Sequence, residues 1–123
     1  MAGRPLTRAF GLLTATYGVS AIARPQTLAR YTGLGDPAAP DAGVRALSTT
    51  IGVRDVCSGA AIVLAPSGAP LRAALVFRAA VDAGDAFVFG TLCPTRRARL
   101  TIAAVAAAWG ALAAVAAIRD ASG

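Results

Sequence analysis

The chain has 123 residues, of which 56% are apolar and only 15% are charged, whereas soluble domains carry about a quarter charged residues. All twelve basic residues are Arg and all six acidic residues are Asp. The absence of His and Lys excludes His-bearing zinc sites, Ser-His and Cys-His nucleophile pairs, and Schiff-base chemistry. The net charge of +6 raises nucleic acid as a partner, but the Arg residues are dispersed and aromatics make up 6%. We therefore expect no nucleic-acid partner.

The apolar residues collect into four segments, at about 6–23, 44–65, 71–92 and 100–118. Each is about 18–22 residues long, the length at which an α-helix crosses ~30 Å of hydrocarbon. The last segment has no polar stripe, since it contains only Thr101 and the Trp109 indole as polar groups. The sequence thus predicts an all-α fold, a single integral membrane domain over residues 1–123 built as a four-transmembrane-helix bundle. Its expected location is the cell membrane, as a multi-pass protein.

The connections between the segments differ in length. Residues 24–43 are rich in Pro, Gly and Asp and predict one long surface loop, whereas the turns at 66–70 and 94–99 are tight. Segments 44–65 and 71–92 should therefore be antiparallel neighbours. The first segment also fits a second interpretation, a cleaved secretory signal peptide, because Arg4 and Arg8 precede it and Ala21-x-Ala23 closes it.

The most informative residues are ionisable groups near the middle of the second and third segments. Arg54 and Asp55 lie in the second, and Arg78, Asp82 and Asp85 lie in the third. Spacings of four and three place the last three on one helical face. Each such group costs ~2.5–3.5 kcal/mol at the centre of a membrane helix, so they should face one another or a wet cavity.

Two interpretations of this cluster stay open. Arg–Asp pairs could simply fix helix register. Alternatively, two Arg against three Asp leave one carboxyl in excess, and one protonated and one ionised Asp beside an Arg form a usable acid–base pair. Under the second interpretation Asp55, Asp82, Asp85, Arg54 and Arg78 are candidate catalytic residues.

Aromatic side chains are candidates for the wall of an apolar pocket beside the cluster. We predict substrate-binding roles for four of them: Tyr17, Phe77, Phe89 and Trp109. The two cysteines, Cys57 and Cys93, form no CxxC pattern and are interpreted as small apolar residues. We expect no cofactor and no metal.

The Gly-x-Arg-Asp pattern at 52–55, followed by Arg-x3-Asp-x2-Asp at 78–85, resembles a family of small bacterial and fungal four-helix membrane proteins. That family is a domain of unknown function, similar in layout to the DoxX-like proteins. The resemblance implies a four-helix membrane fold over nearly the whole chain. It implies no activity, cofactor or catalytic residue.

Three functions follow as expectations. The first is an acid–base enzyme, of the epoxide hydrolase, cyclase or isomerase type, acting on a lipophilic small molecule such as a terpenoid or polyketide. An Arg flanked by two Asp resembles, in residue types only, the water-activating group of limonene-type epoxide hydrolases. The second is a small proton-coupled transporter, and the third a non-catalytic membrane subunit whose charge cluster is structural. Membrane lipid and a second copy of the chain are the other partners considered.

Overall fold

The computed structural model describes residues 3–123, which fold into five α-helices in the described part of the chain. They are α1 (Gly3–Ala23), α2 (Pro25–Thr32), α3 (Ala42–Leu64), α4 (Ala69–Leu92) and α5 (Arg96–Ser122). Two helix pairs provide most of the packing, α1 with α3 and α4 with α5, and a shorter contact joins α3 to α4. The apolar core where the pairs meet is small, formed by Ile62, Leu71, Leu75 and Ala117.

Helix α2 corrects the prediction of a loop over residues 24–43. Pro25 occupies the first turn, where its missing N–H and fixed φ favour helix initiation. Gly33 ends the helix in the left-handed conformation, with φ of 73°. Between them, Leu28 and Thr32 are buried against the other helices. The composition of the whole segment concealed this two-turn helix, and only residues 33–41 form the loop.

Glycines allow α1 and α3 to approach closely. A Cβ added at Gly18 would lie 2.5 Å from the carbonyl oxygen of Gly52, and one added at Gly11 would lie 2.9 Å from that of Gly59. The two glycines on each helix are seven residues apart, so both lie on one helical stripe. The Ser48 hydroxyl adds a hydrogen bond to the Ala21 carbonyl oxygen at 2.6 Å. Backbone proximity, rather than large side chains, therefore holds this pair together.

Small residues also form the contact between α4 and α5. After Ala98, the buried positions of α5 are Ala106, Gly110, Ala113 and Ala117. A Cβ added at Gly110 would lie 3.1 Å from the Asp82 Cβ. The Thr95 hydroxyl caps the start of α5 by accepting the Ala98 N–H at 3.1 Å.

The predicted bundle of four transmembrane helices is wrong, because only α3 and α5, among the described residues, are long and apolar enough to cross a membrane. Any stretch of 18 residues within α4 contains Arg78, Asp82 and Asp85. In α1, the charge of Arg8 and several Thr, Ser and Gly residues lower the hydropathy. The segments 6–23 and 71–92 are therefore helical without being apolar enough for a span.

Candidate functional site

The five ionisable residues of α3 and α4 form one network, which we call the Arg–Asp network (Arg54, Asp55, Arg78, Asp82, Asp85). Arg78 of α4 donates to Asp55 Oδ1 of α3 at 2.6 Å. In the opposite direction, Arg54 of α3 donates to both carboxylate oxygens of Asp85, at 2.8 and 2.7 Å. Asp55, Arg78 and Asp82 are only 2–3% exposed. Two charged crosslinks thus join the helices where they otherwise touch little.

The three carboxyl groups of this network are not equivalent. Asp82 receives two hydrogen bonds from Arg78, one on each oxygen. Asp85 receives two from Arg54, again one on each oxygen. Asp55 instead receives three N–H donors, all on Oδ1: two from Arg54 and one from Arg78. Asp55 is therefore the carboxyl group whose second oxygen, Oδ2, receives no hydrogen bond from the described residues.

The free oxygen of Asp55 reaches open space. Every fully enclosed side-chain nitrogen or oxygen in the described residues has a hydrogen-bond partner. Since Asp55 Oδ2 has none, it is not fully enclosed, although the residue as a whole is 2% exposed. Asp55 lines a cavity of about 390 Å³, a volume within the range of small-molecule sites. Asp55 is therefore a residue of the cavity wall with one carboxyl oxygen that is neither paired nor fully enclosed.

All five helices contribute to the cavity, which we call the central cavity. Its surface is almost entirely apolar, and the Arg–Asp network provides its charged end. Leu28 of α2, Ile51 of α3 and Phe89 of α4 form part of the apolar wall, together with Ile102 and Val105 of α5. An apolar cavity with a few convergent polar groups is the usual form of a site for a lipophilic molecule.

Two tyrosines add polar groups to the wall of the cavity. The hydroxyl groups of Tyr17 on α1 and Tyr31 on α2 are hydrogen-bonded to each other. Burial, followed by the hydrogen bond with Tyr17 and the negative charge of Asp55, raises the pKa of Tyr31 far above its ordinary value. Tyr31 therefore stays a neutral phenol and can act as a hydrogen-bond donor rather than as a proton donor.

Trp109 separates the central cavity from a second, outer groove. Its indole N–H donates to the Thr14 hydroxyl at 2.9 Å, and its ring lies 5.0 Å from that of Phe10. The outer groove runs between α1 and α5, measures about 560 Å³ and also has Trp109 in its wall. Because Trp109 is the single tryptophan of the chain and lines both spaces, its fluorescence reports on molecules bound in either of them.

Eight of the nine predicted site residues line the central cavity. They are the five members of the Arg–Asp network together with Tyr17, Phe89 and Trp109. Phe77 does not line the cavity and is 56% exposed, because it directly precedes Arg78 and so points away from the network.

Sequence reasoning missed Tyr31 and Ser58 as members of the site. Tyr31 lies in the segment interpreted as a loop, and Ser58 accepts a hydrogen bond from Arg78 at 3.0 Å. The signal for Ser58 was available, since it lies one helical turn after Arg54 and Asp55.

The described residues contain no group of carboxylate and thiol side chains placed to hold a metal ion. Cys57 and Cys93 are both free thiols, the first exposed and the second buried. Comparisons of the chain with protein-family models, curated proteins and solved structures find no match. The likeness to the DoxX-like layout therefore remains a prediction from the sequence pattern.

Proposed function

We propose that the protein is an acid–base enzyme that binds a lipophilic small molecule in the central cavity and transfers protons to and from it through Asp55. The observation that carries this proposal is Asp55 Oδ2, an unpaired carboxyl oxygen of a residue that is 2% exposed and lines an apolar cavity. A purely apolar ligand site would have no need of such a group, because burying it without a partner costs free energy.

A single carboxyl group that both gives and takes back a proton favours an isomerase or cyclase reaction. With a double bond as substrate, Asp55 Oδ2 delivers a proton to one carbon and the π electron pair forms the new C–H bond. With an epoxide, a lone pair of the epoxide oxygen takes the proton, and the electron pair of the broken C–O bond passes to that oxygen. The substrate then loses a proton from a neighbouring carbon to Asp55 Oδ2, and that C–H pair forms the new double bond. Asp55 ends as it began, so no other reactant is consumed.

The other network members position this carboxyl. Two guanidinium groups hold Asp55 Oδ1 through three hydrogen bonds, which fixes the carboxyl group and leaves Oδ2 unpaired. Those guanidinium groups are held in turn by Asp82 and Asp85. A site that is held in place before the substrate arrives loses little free energy to reorganisation during the reaction.

We further propose that the chain acts within a membrane. Helix α5 is long and apolar enough to span one, and large apolar side chains are exposed along α1, α4 and α5, including Leu13 at 59%, Phe87 at 73% and Leu112 at 53%. So much exposed apolar surface is unusual for a soluble monomer, and a bilayer would supply the lipophilic substrate.

Deuterium incorporation tests the catalytic proposal. The protein in phosphatidylcholine nanodiscs is incubated in D2O with geranylacetone or limonene oxide, and products are analysed by mass spectrometry. We expect deuterium-labelled isomer or cyclised product, with a rate that falls at least about a hundredfold in the Asp55→Asn variant. Asp120→Asn makes the same chemical change outside the central cavity and should retain the wild-type rate. Equal rates in the wild type and Asp55→Asn would contradict the proposal, as would unchanged Trp109 fluorescence with both compounds.

The pairing of every network carboxyl with an Arg favours a second candidate function, a structural crosslink between α3 and α4. If the network has only this role, Asp55→Asn should lower stability without affecting any ligand. If the network serves catalysis, Asp55→Asn should abolish turnover while the chain remains folded by circular dichroism.

A further inference from the structure

The charges at the end of the central cavity do not balance. Two guanidinium groups face three carboxyl groups, so the Arg–Asp network carries one negative charge in excess when all five residues are ionised. An uncompensated charge in an apolar cavity is costly, and a bound positive charge would remove that cost. The network thus attracts either a proton or a cation.

The hydrogen bonds of the network identify the sign of the group that it can accept. Arg54 donates four hydrogen bonds and Arg78 also donates four, and all except the one to Ser58 go to carboxylates. Each guanidinium has five N–H groups, so little donor capacity remains for an anionic ligand. Within the Arg–Asp network, the oxygen that remains without a partner is an acceptor, Asp55 Oδ2.

Aromatic rings complete the environment. Trp109, Tyr17, Tyr31 and Phe89 line the same cavity from four different helices. Aromatic faces attract cations through the ring quadrupole, most strongly where water is excluded. A negative acceptor at one end and aromatic walls around it are complementary to a positive centre attached to an apolar body.

We infer that the central cavity selects a lipophilic molecule with one positive centre, and that Asp55 Oδ2 and the aromatic walls recognise that centre. This inference rests on the proposed function and specifies it. The substrate is then a neutral molecule whose reacting carbon becomes positive once Asp55 has delivered its proton, and the negative network left behind stabilises that centre. A stable lipophilic ammonium ion should bind as a mimic of this charged state.

Three probes with the same alkyl chain test the inference: octylammonium, octanol and octanoate. Each is titrated at neutral pH into the protein in phosphatidylcholine nanodiscs, and the fluorescence of Trp109 is followed. Empty nanodiscs correct for partitioning of the probes into lipid. We expect octylammonium to bind at least about tenfold more tightly than octanol, since opposite charges attract strongly away from bulk water, and octanoate to bind most weakly.

Asp55→Asn removes the excess charge and the free carboxylate oxygen together, and should bring the affinity for octylammonium to that for octanol. The matched control, Asp120→Asn, raises the net charge of the chain by the same amount, at a position that lines the outer groove and not the central cavity, and should retain the preference. If octanol binds wild-type protein as tightly as octylammonium does, the inference is wrong, and the deuterium experiment decides the proposed function separately. If none of the three probes changes Trp109 fluorescence, both the inference and the proposed function are wrong.

Discussion

Helix α3 is held on its two sides by opposite means. Against α1 it packs through glycines, with backbone so close to backbone that a Cβ at Gly18 would overlap the Gly52 carbonyl oxygen. Against α4 it makes a shorter contact, which the charged crosslinks of the Arg–Asp network complete. Dense packing leaves no room for a ligand, whereas two helices joined by long charged side chains leave space between them. The central cavity lies on this second, charged side.

Removing a charged residue from the α3–α4 contact should cause the largest loss of stability. Arg78→Met removes a cation that is 3% exposed and leaves Asp82 without a partner. Breaking a buried ion pair in this way costs about 3–5 kcal/mol, which we expect as a loss in the free energy of unfolding in a denaturant titration. The control is Arg72→Met on the same helix, whose side chain is 39% exposed and lies 3.5 Å from Asp120. It should cost less than about 1 kcal/mol; equal losses in the two variants would contradict a buried network.

Enlarging a glycine in the α1–α3 contact should cause the next largest loss of stability. Gly18→Ala places a methyl group against the backbone of α3, which cannot move aside as a flexible side chain could. Overpacking of this kind costs about 1–3 kcal/mol. Gly84→Ala adds the same methyl group on α4, where no atom of residues 3–123 would come within 4 Å of it, and should stabilise the helix by up to about 1 kcal/mol. Thermal unfolding followed by circular dichroism should therefore shift in opposite directions for the two variants, and a shift in the same direction would count against close α1–α3 packing.

The ionisation of Tyr31 tests whether α2 covers the central cavity, and its effect on stability should be smaller. In Tyr17→Phe, Tyr31 is the single remaining tyrosine, and burial, the largest cause of its raised pKa, persists. Its ultraviolet titration should therefore show ionisation at higher pH than free tyrosine. Above pH ~10 the unfolded chain loses the phenol proton while the folded chain keeps it, so stability should fall as pH rises through this range. Ordinary titration in the folded protein would show that Tyr31 is exposed and that α2 does not cover the cavity.

Sequence reasoning was strongest where spacing along a single helix decides geometry. The intervals between Arg78, Asp82 and Asp85 placed them on one face, and the structure brings that face to Arg54 and Asp55. Sequence reasoning was weakest where contacts between helices decide the local structure. Helix α2 is short, and its local composition resembles a loop, so Tyr31 could not be placed at the cavity from the pattern alone.

The membrane prediction erred for a related physical reason. Segment length and average apolarity suggested four membrane-spanning helices. The ionisable residues that α4 contributes to the Arg–Asp network, however, also lower the hydropathy of that helix. The sequence also could not indicate which of the three carboxyl groups in the Arg–Asp network keeps an unpaired oxygen. That distinction depends on how two guanidinium groups divide their donors among three acids, which only the folded arrangement determines.

The central claim is that Asp55 alone in the network offers a free carboxyl oxygen to an apolar cavity, and labelling with dicyclohexylcarbodiimide tests it most directly. This lipophilic reagent takes the proton of a carboxyl group and bonds to its oxygen, so it requires an oxygen that is accessible and not held by a guanidinium. Peptide mass spectrometry of the labelled protein should show the adduct on Asp55, with Asp82 and Asp85 unmodified because both of their oxygens are held by Arg. Equal labelling of all three residues, or labelling that spares Asp55, would contradict the account.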